Sequence, residues 1–230
     1  MTSSPNEAAE SPTRHRASRP EETILTSKIT APALPQWLVS RPRIVNRIDA
    51  GRQGPLTLVS GPPGAGKTVA MASWATAHAG LLPVAWVTLD EYDNRPRAFW
   101  SYIVEALRRA GVEIPGSVWS PGRRRVDHAF LLRLTAAIAA RGSPVVLVLD
   151  DLHLVTEPRA LNELTRLLRN ARPHLSLVVA SRIDPVLPLH RYRLAGELTE
   201  IRASELAFSV DEASLLMKQH GIVLPADSLA

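Results

Sequence analysis

The sequence predicts an α/β fold: a mostly parallel five-stranded sheet as the middle layer of a three-layer α/β/α sandwich. Three observations point to it. Short aliphatic and β-branched runs alternate along the chain with stretches of helical periodicity. One run, Val145-Val146-Leu147-Val148-Leu149, is apolar without interruption, which suits a strand covered on both faces. Another, Thr57-Leu58-Val59-Ser60, breaks into Gly61-Pro62-Pro63-Gly64-Ala65-Gly66-Lys67-Thr68, a strand followed by a glycine loop and a helix start.

Taken in order, residues 1–24 are rich in Ser, Pro, Glu and Arg without hydrophobic period and are expected to form a disordered tail. From Leu25 to Asp49 a lead-in carries the apolar anchors Trp37-Leu38-Val39, and Arg41-Pro42-Arg43-Ile44 opens a short helix. The first strand is expected at Leu56 to Ser60, and the helix from Gly66 to about His78 stops before Gly80. A second strand, Val84 to Leu89, ends at Asp90 and a polar turn, Glu91 to Pro96. Phe99, Ile103, Leu107 and Ala110 mark one face of the next helix, and Gly111 ends it.

Two prolines and two glycines make Val112 to Arg125 a loop. Asp127 to Arg141 reads as a helix through Phe130, Leu134 and Ile138, and the apolar third strand then closes on Asp150-Asp151. Thr156 is expected to cap a helix carrying Leu161, Leu164 and Leu168. A fourth strand, Leu175 to Ala180, runs into Ser181-Arg182, followed by a short helix near Arg191 and a fifth strand around Leu198 to Arg202. Ser209 and Glu212 form a capping box for a helix to about His220. The expected division is a domain over 25–208 and the start of a following helical segment over 209–230.

Composition narrows the classes. A chain of 230 residues with 45% hydrophobic residues can bury a sizeable core, and the absence of cysteine excludes a disulfide scaffold and thiolate metal sites. No apolar run approaches membrane-spanning length, so no membrane partner is expected and the cytoplasm is the default compartment. The net charge of +5 comes mostly from scattered arginines, and the one compact run, Arg123-Arg124-Arg125, sits in a loop where a solvated role outweighs nucleic-acid binding.

The chemistry gathers where a doubly wound sheet binds ligands, at the C-terminal ends of the strands. Gly61 to Thr68 completes the pattern G-x-x-x-x-G-K-S/T. Backbone N–H groups from Gly64, Ala65 and Gly66 through Lys67, Thr68 and Val69 can curl around phosphate, aided by the positive end of the helix. Lys67 would reach the β- and γ-phosphates of ATP or ADP, and the Thr68 hydroxyl would bind Mg²⁺. Asp150 would hold Mg²⁺ opposite Thr68, and Asp151 could orient or deprotonate an attacking water. Arg182 could make a forked contact with the γ-phosphate, or else pair with Asp184 at the surface. His153 reads as a packed or hydrogen-bonded loop residue.

An ordered succession of motifs resembles a known family. It comprises the lead-in Lys28 to Arg47, the glycine loop, Ala85 to Asp90 with Asp93-Asn94 and Phe99, Leu149 to His153, Ser181 to Leu189, and Glu205 to Ser209 with Glu212. Together these look like the nucleotide-binding domain of MalT-like, large LuxR-type transcriptional regulators. These are signal-transduction ATPases with numerous domains, a branch of the P-loop NTPases related to AAA+ proteins. The resemblance implies a switch: ADP holds a resting form, ATP exchange permits self-association, and slow Mg-dependent hydrolysis resets it. It also implies that DNA is bound by a C-terminal domain beyond this stretch, the chain being an N-terminal fragment or a truncated protein. Arg41 stands where relatives carry a nucleotide-contacting Gly-Arg-Glu lead-in, here flanked by Ser40 and Pro42. A small-molecule kinase and a hexameric remodelling motor are the alternative readings of the glycine loop.

Overall fold

Two apolar clusters divide the molecule along the plane of a sheet, and the strands explain why. In the computed structural model, which describes residues 24–119 and 126–222, the third strand β3 (Val145–Asp150) is buried along its whole length. Its odd positions Val145, Leu147 and Leu149 enter one cluster and its even positions Val146 and Val148 the other, as the two-residue period of a strand requires. All of the expected tail but Ile24, the Arg123-Arg124-Arg125 run and the end of the chain lie outside the described residues; Ile24, expected in the tail, packs against the first of these clusters instead, drawn in by its apolar side chain.

The other strands are β1 (Leu56–Ser60), β2 (Val84–Thr88), β4 (Leu175–Ser181) and β5 (Leu198–Ile201). All pair in parallel, in the order β2-β3-β4-β1-β5, so the sheet is wholly rather than mostly parallel. Helices α1 (Pro42–Gly51) and α2 (Lys67–Ala77) cover one face, where Ile44, Ile48, Met71 and Trp74 meet Val59, Trp86, Val148 and Val178. Helices α3 (Pro96–Arg109), α4 (His128–Ala140) and α5 (Pro158–Asn170) cover the other face. There Phe99, Trp100, Phe130 and Leu164 pack with Leu58, Val87, Leu147 and Leu177. Short helices α6 (Leu189–Leu194) and α7 (Ala203–Leu206) flank β5, and α8 (Val210–Gln219) follows. No helix among the described residues is long and apolar enough to cross a membrane.

Most starts and stops follow the local chemistry read from the sequence. Asp127 caps α4 by accepting from the Phe130 N–H at 2.7 Å, and Gly111 and Gly142 leave their helices at positive φ. Ser209 and Glu212 close the capping box of α8 in both directions, at 3.2 and 3.0 Å. One start differs from expectation. Thr156 does not cap α5, because its N–H and hydroxyl are taken by Asn94 Oδ1 at 2.7 and 3.2 Å. Glu157 is the cap instead, accepting from the Arg159 N–H at 3.2 Å.

The topology positions the site. Because β4 lies between β1 and β3, Ser181 at its tip is in register with Ser60, and the Gly61 N–H donates to Ser181 O at 3.3 Å. The loop after β1, the tip of β4 and the acidic end of β3 therefore share one rim. A close approach holds α1 over this sheet: a Cβ on Gly51 would stand 2.3 Å from the buried Thr57 Oγ1 and 2.9 Å from Thr199 Cβ. Gly51→Ala should accordingly cost about 1–3 kcal/mol of stability by overpacking, read as a lowered midpoint in thermal or urea unfolding.

Candidate functional site: a phosphate loop and an acidic strand end

The loop after β1 turns twice through left-handed backbone, at Gly64 (φ +79°) and Gly66 (φ +78°), a conformation that side-chain-bearing residues rarely adopt. The second turn starts α2, and no side chain caps that helix. Its first-turn N–H groups are thus left without intrahelical acceptors, at the positive end of the helix dipole. Lys67 is only 7% exposed and folds back over the loop, its Nζ donating to Gly61 O at 2.8 Å and Pro62 O at 2.9 Å. Burial lowers its pKa, opposed by the charges of Asp151 and Asp150 and aided by Arg182. An arriving phosphate would offer this ammonium a full negative charge in place of two carbonyl dipoles.

Thr68 Oγ1 donates to Asp150 Oδ1 at 3.0 Å, bringing together the two residues expected to share a cation. Asp150 is 2% exposed, and burial pushes its carboxyl up to about 6, with the charge of Asp151 adding and the Thr68 bond opposing. A hydroxyl and a carboxylate are hard oxygen donors, the kind Mg²⁺ takes, and a buried carboxylate whose charge is disfavoured gains most from a cation beside it. The pair therefore fits Mg²⁺. No cluster of three or more acidic, His or Cys side chains stands among the described residues, so water and phosphate oxygens would complete the shell.

Asp151 has left-handed backbone (φ 58°), the one such residue other than glycine among those described, and its side chain is about a third exposed. Asp150, its neighbour, is buried. His153 Nδ1 lies 3.8 Å from Asp151 Oδ1, and neither buried ring nitrogen has a hydrogen-bond partner. Burial lowers the His153 pKa, the Asp151 charge raises it, and Arg182 and Lys67 lower it, so the ring is neutral at pH 7. The residue is packed, as expected, but not hydrogen-bonded. Arg182 is exposed at the tip of β4, close enough for its charge to be felt at both Lys67 and His153. The surface pair with Asp184 does not form, because Asp184 bonds Arg193 and Arg202 instead.

Beside the loop lies a cavity of about 310 Å³ lined by Gly64, Ala65, Gly66 and Val69 on one side, Trp37 to Val39 on another, and Phe208 and Leu216 on a third. Arg41 borders it with its guanidinium turned to the α7–α8 segment: Nη2 donates to Leu206 O at 2.5 Å and Ala207 O at 3.2 Å, and the group stands 4.8 Å over the Phe208 ring. Arg43 grips the same segment, giving Nε and Nη2 to the two oxygens of Glu212 at 2.9 and 2.8 Å.

Free helix N–H groups, a lysine held in reserve and a paired hydroxyl and carboxylate are suited to a polyphosphate and its cation, which makes the fold a P-loop nucleotide-binding domain. Residues 43–179 match the AAA ATPase domain family, and the chain belongs to that family. Over 193 residues it is 34% identical to the HTH-type transcriptional regulator MalT of Cronobacter sakazakii (strain ATCC BAA-894), covering 83% of this chain and 21% of that protein. The resemblance read from the motif succession is thereby borne out, and the chain spans about a fifth of that relative's length. Among solved structures, Cdc6p from Pyrobaculum aerophilum shares the fold with a TM-score of 0.55 at 20% identity, over 88% of this chain and 55% of its own.

The raised pKa of Asp150 has a stability consequence. Between 3.8 and about 6 the folded chain keeps a proton that the unfolded chain has released, so stability falls as pH rises through that window and the penalty is fully present above it. Asp150→Asn, which keeps an acceptor for Thr68, should stabilise the nucleotide-free protein at pH 7 by on the order of 2–3 kcal/mol. The difference should vanish below about pH 4 in urea unfolding.

Proposed function

We propose that this chain is the ATP/ADP-binding switch domain of a signal-responsive transcriptional regulator, resetting itself by slow Mg-dependent ATP hydrolysis. The observation that carries the catalytic part is the 3.0 Å bond between Thr68 and Asp150, flanked by Lys67 and Asp151. It couples the phosphate loop to an acidic strand end, as cation-assisted cleavage of a terminal phosphate requires. In this reading the N–H groups of Gly64 to Val69 cradle the phosphates, with Gly61 leading the chain into the loop, and Lys67 and Arg182 meet the γ-phosphate. Thr68 and Asp150 would hold Mg²⁺, which when bound would neutralise charge on the phosphate oxygens. Asp151 takes the proton of the attacking water, and neutral His153 packs beside it. The nucleoside occupies the cavity between the lead-in and α8, walled by Arg41.

The regulatory part rests on the likeness to MalT, of which the chain spans only a fifth. Self-association in the ATP state, DNA contact through a separate domain and a cytoplasmic location belong to that same proposal. A chain carrying only this domain would bind nucleotide and turn it over slowly, without recognising inducer or DNA.

Two variants test the assignment. Lys67→Ala should weaken ATP binding by about tenfold or more, the scale of a lost charge-assisted hydrogen bond, in calorimetric titration; unchanged affinity would sink the phosphate-loop role. Asp151→Asn should keep ATP affinity while slowing single-turnover release of phosphate by roughly 10²–10⁴, the usual reach of a general base. Phosphate passing to a metabolite rather than to water would favour the kinase reading instead.

A further inference from the structure

Asn94 belongs to a motif that the nucleotide site does not absorb, yet its amide is among the most fully used groups in the molecule. It ends a short 3-10 turn, Glu91–Asn94, that follows β2. Its Oδ1 accepts from the Thr156 N–H at 2.7 Å, the Glu157 N–H at 3.0 Å and the Thr156 hydroxyl at 3.2 Å. Its Nδ2 donates to Leu154 O at 2.7 Å and Glu91 O at 3.1 Å. Backbone N–H groups can only donate and carbonyls only accept, so the partners fix which way the amide points. Aspartate could supply the acceptors but would set a second oxygen against two carbonyls.

The partners of Asn94 all lie, apart from Glu91, on the segment that joins the acidic strand end to α5. That segment begins with the left-handed Asp151 and a 3-10 turn, Leu152–Leu154, and is pinned on its apolar side by the buried Leu152 and Val155. On its polar side Asn94 is the pin. The pin itself is anchored: the Asp90 N–H donates to Asp93 Oδ2 at 2.8 Å, and Lys28 Nζ bonds Asp93 Oδ2 at 2.6 Å and Asp90 Oδ2 at 3.0 Å. Asp93 is wholly buried, so the turn that carries Asn94 is seated firmly on the body of the domain.

We propose that Asn94 is a positioning residue for ATP hydrolysis: by holding Leu154 to Glu157 it sets where Asp151 and His153 stand relative to the phosphate loop. The inference rests on the ATPase reading above. Asn94 touches no residue of the phosphate loop among its hydrogen bonds, so its loss should leave nucleotide binding intact and act on the chemical step.

The test uses the 230-residue chain with Asn94→Ala and the near-isosteric Asn94→Asp, which keeps the accepted bonds and loses the donated ones. Three quantities are measured with Mg-ATP: the dissociation constant, the single-turnover hydrolysis rate, and hydrogen exchange across residues 154–157. Asn94→Ala should bind ATP within about threefold of wild type, hydrolyse it about ten- to a hundredfold more slowly, and exchange the Thr156 and Glu157 amides faster. Asn94→Asp should fall between the two, its rate following the protection of those amides. Wild-type hydrolysis matched by Asn94→Ala with freed amides would overturn this inference alone. So would a rate loss in both variants explained entirely by weaker ATP binding. A wild-type chain that binds ATP without hydrolysing it would overturn the ATPase reading, and this inference with it.

Discussion

The hydrogen bond between Thr68 and Asp150 joins parts of the sheet that are not adjacent. Thr68 opens the helix after β1, Asp150 ends β3, and β4 runs between them. The bond can form only if three parallel strands keep their register, so the site's geometry is the geometry of the sheet's upper rim. Two layers of helices that bury both faces maintain that register, and the cost of enclosing a carboxylate at the rim is what a cation would relieve. The acidic end of β3 thus holds a carboxylate whose charge its surroundings disfavour until a cation joins it.

Around that point the side chains divide into held and waiting groups. Lys67 rests on the carbonyls of its own loop, Arg182 is exposed at the strand tip, and His153 is enclosed without a polar partner. Thr68, Asp150 and Asn94, by contrast, are bonded to other segments of the chain. A frame of committed groups surrounding uncommitted ones is the arrangement expected where a charged ligand completes the set.

Much of this was legible in the sequence because its causes are local. A strand buried on both faces must be apolar throughout, so β3 declared itself. The glycine loop has to be glycine where the backbone turns left-handed, and Ser209 with Glu212 carries its capping box in four residues. What escaped has non-local causes. Thr156 looked like a helix cap, but its N–H and hydroxyl are taken by Asn94, some sixty residues earlier in the chain, and Glu157 caps α5 instead. The pairing of Arg182 with Asp184 was plausible from two-residue spacing, yet Arg193 and Arg202 reach Asp184 once β5 folds beside β1. Strand order, which brings Arg182 next to the phosphate loop, has no signature in any single stretch of residues.

The attachment of α8 is unlike that of every other long helix in the domain. None of its residues is buried, and it is held by Glu212 on Arg43 and Arg41, with Phe208 and Leu216 leaning toward the cavity. The Glu212 and Arg41 side chains are largely shielded and Arg43 is half-exposed, so salt weakens this grip, whereas the sheet and its flanking helices are bound by apolar burial. That wall of the cavity is therefore fastened mainly by Arg41 and Arg43, through ion pairs with Glu212, hydrogen bonds to the carbonyls of Leu206 and Ala207, and the stacking of Arg41 on Phe208. The grip on α8 is thus the part of the packing most sensitive to ionic strength.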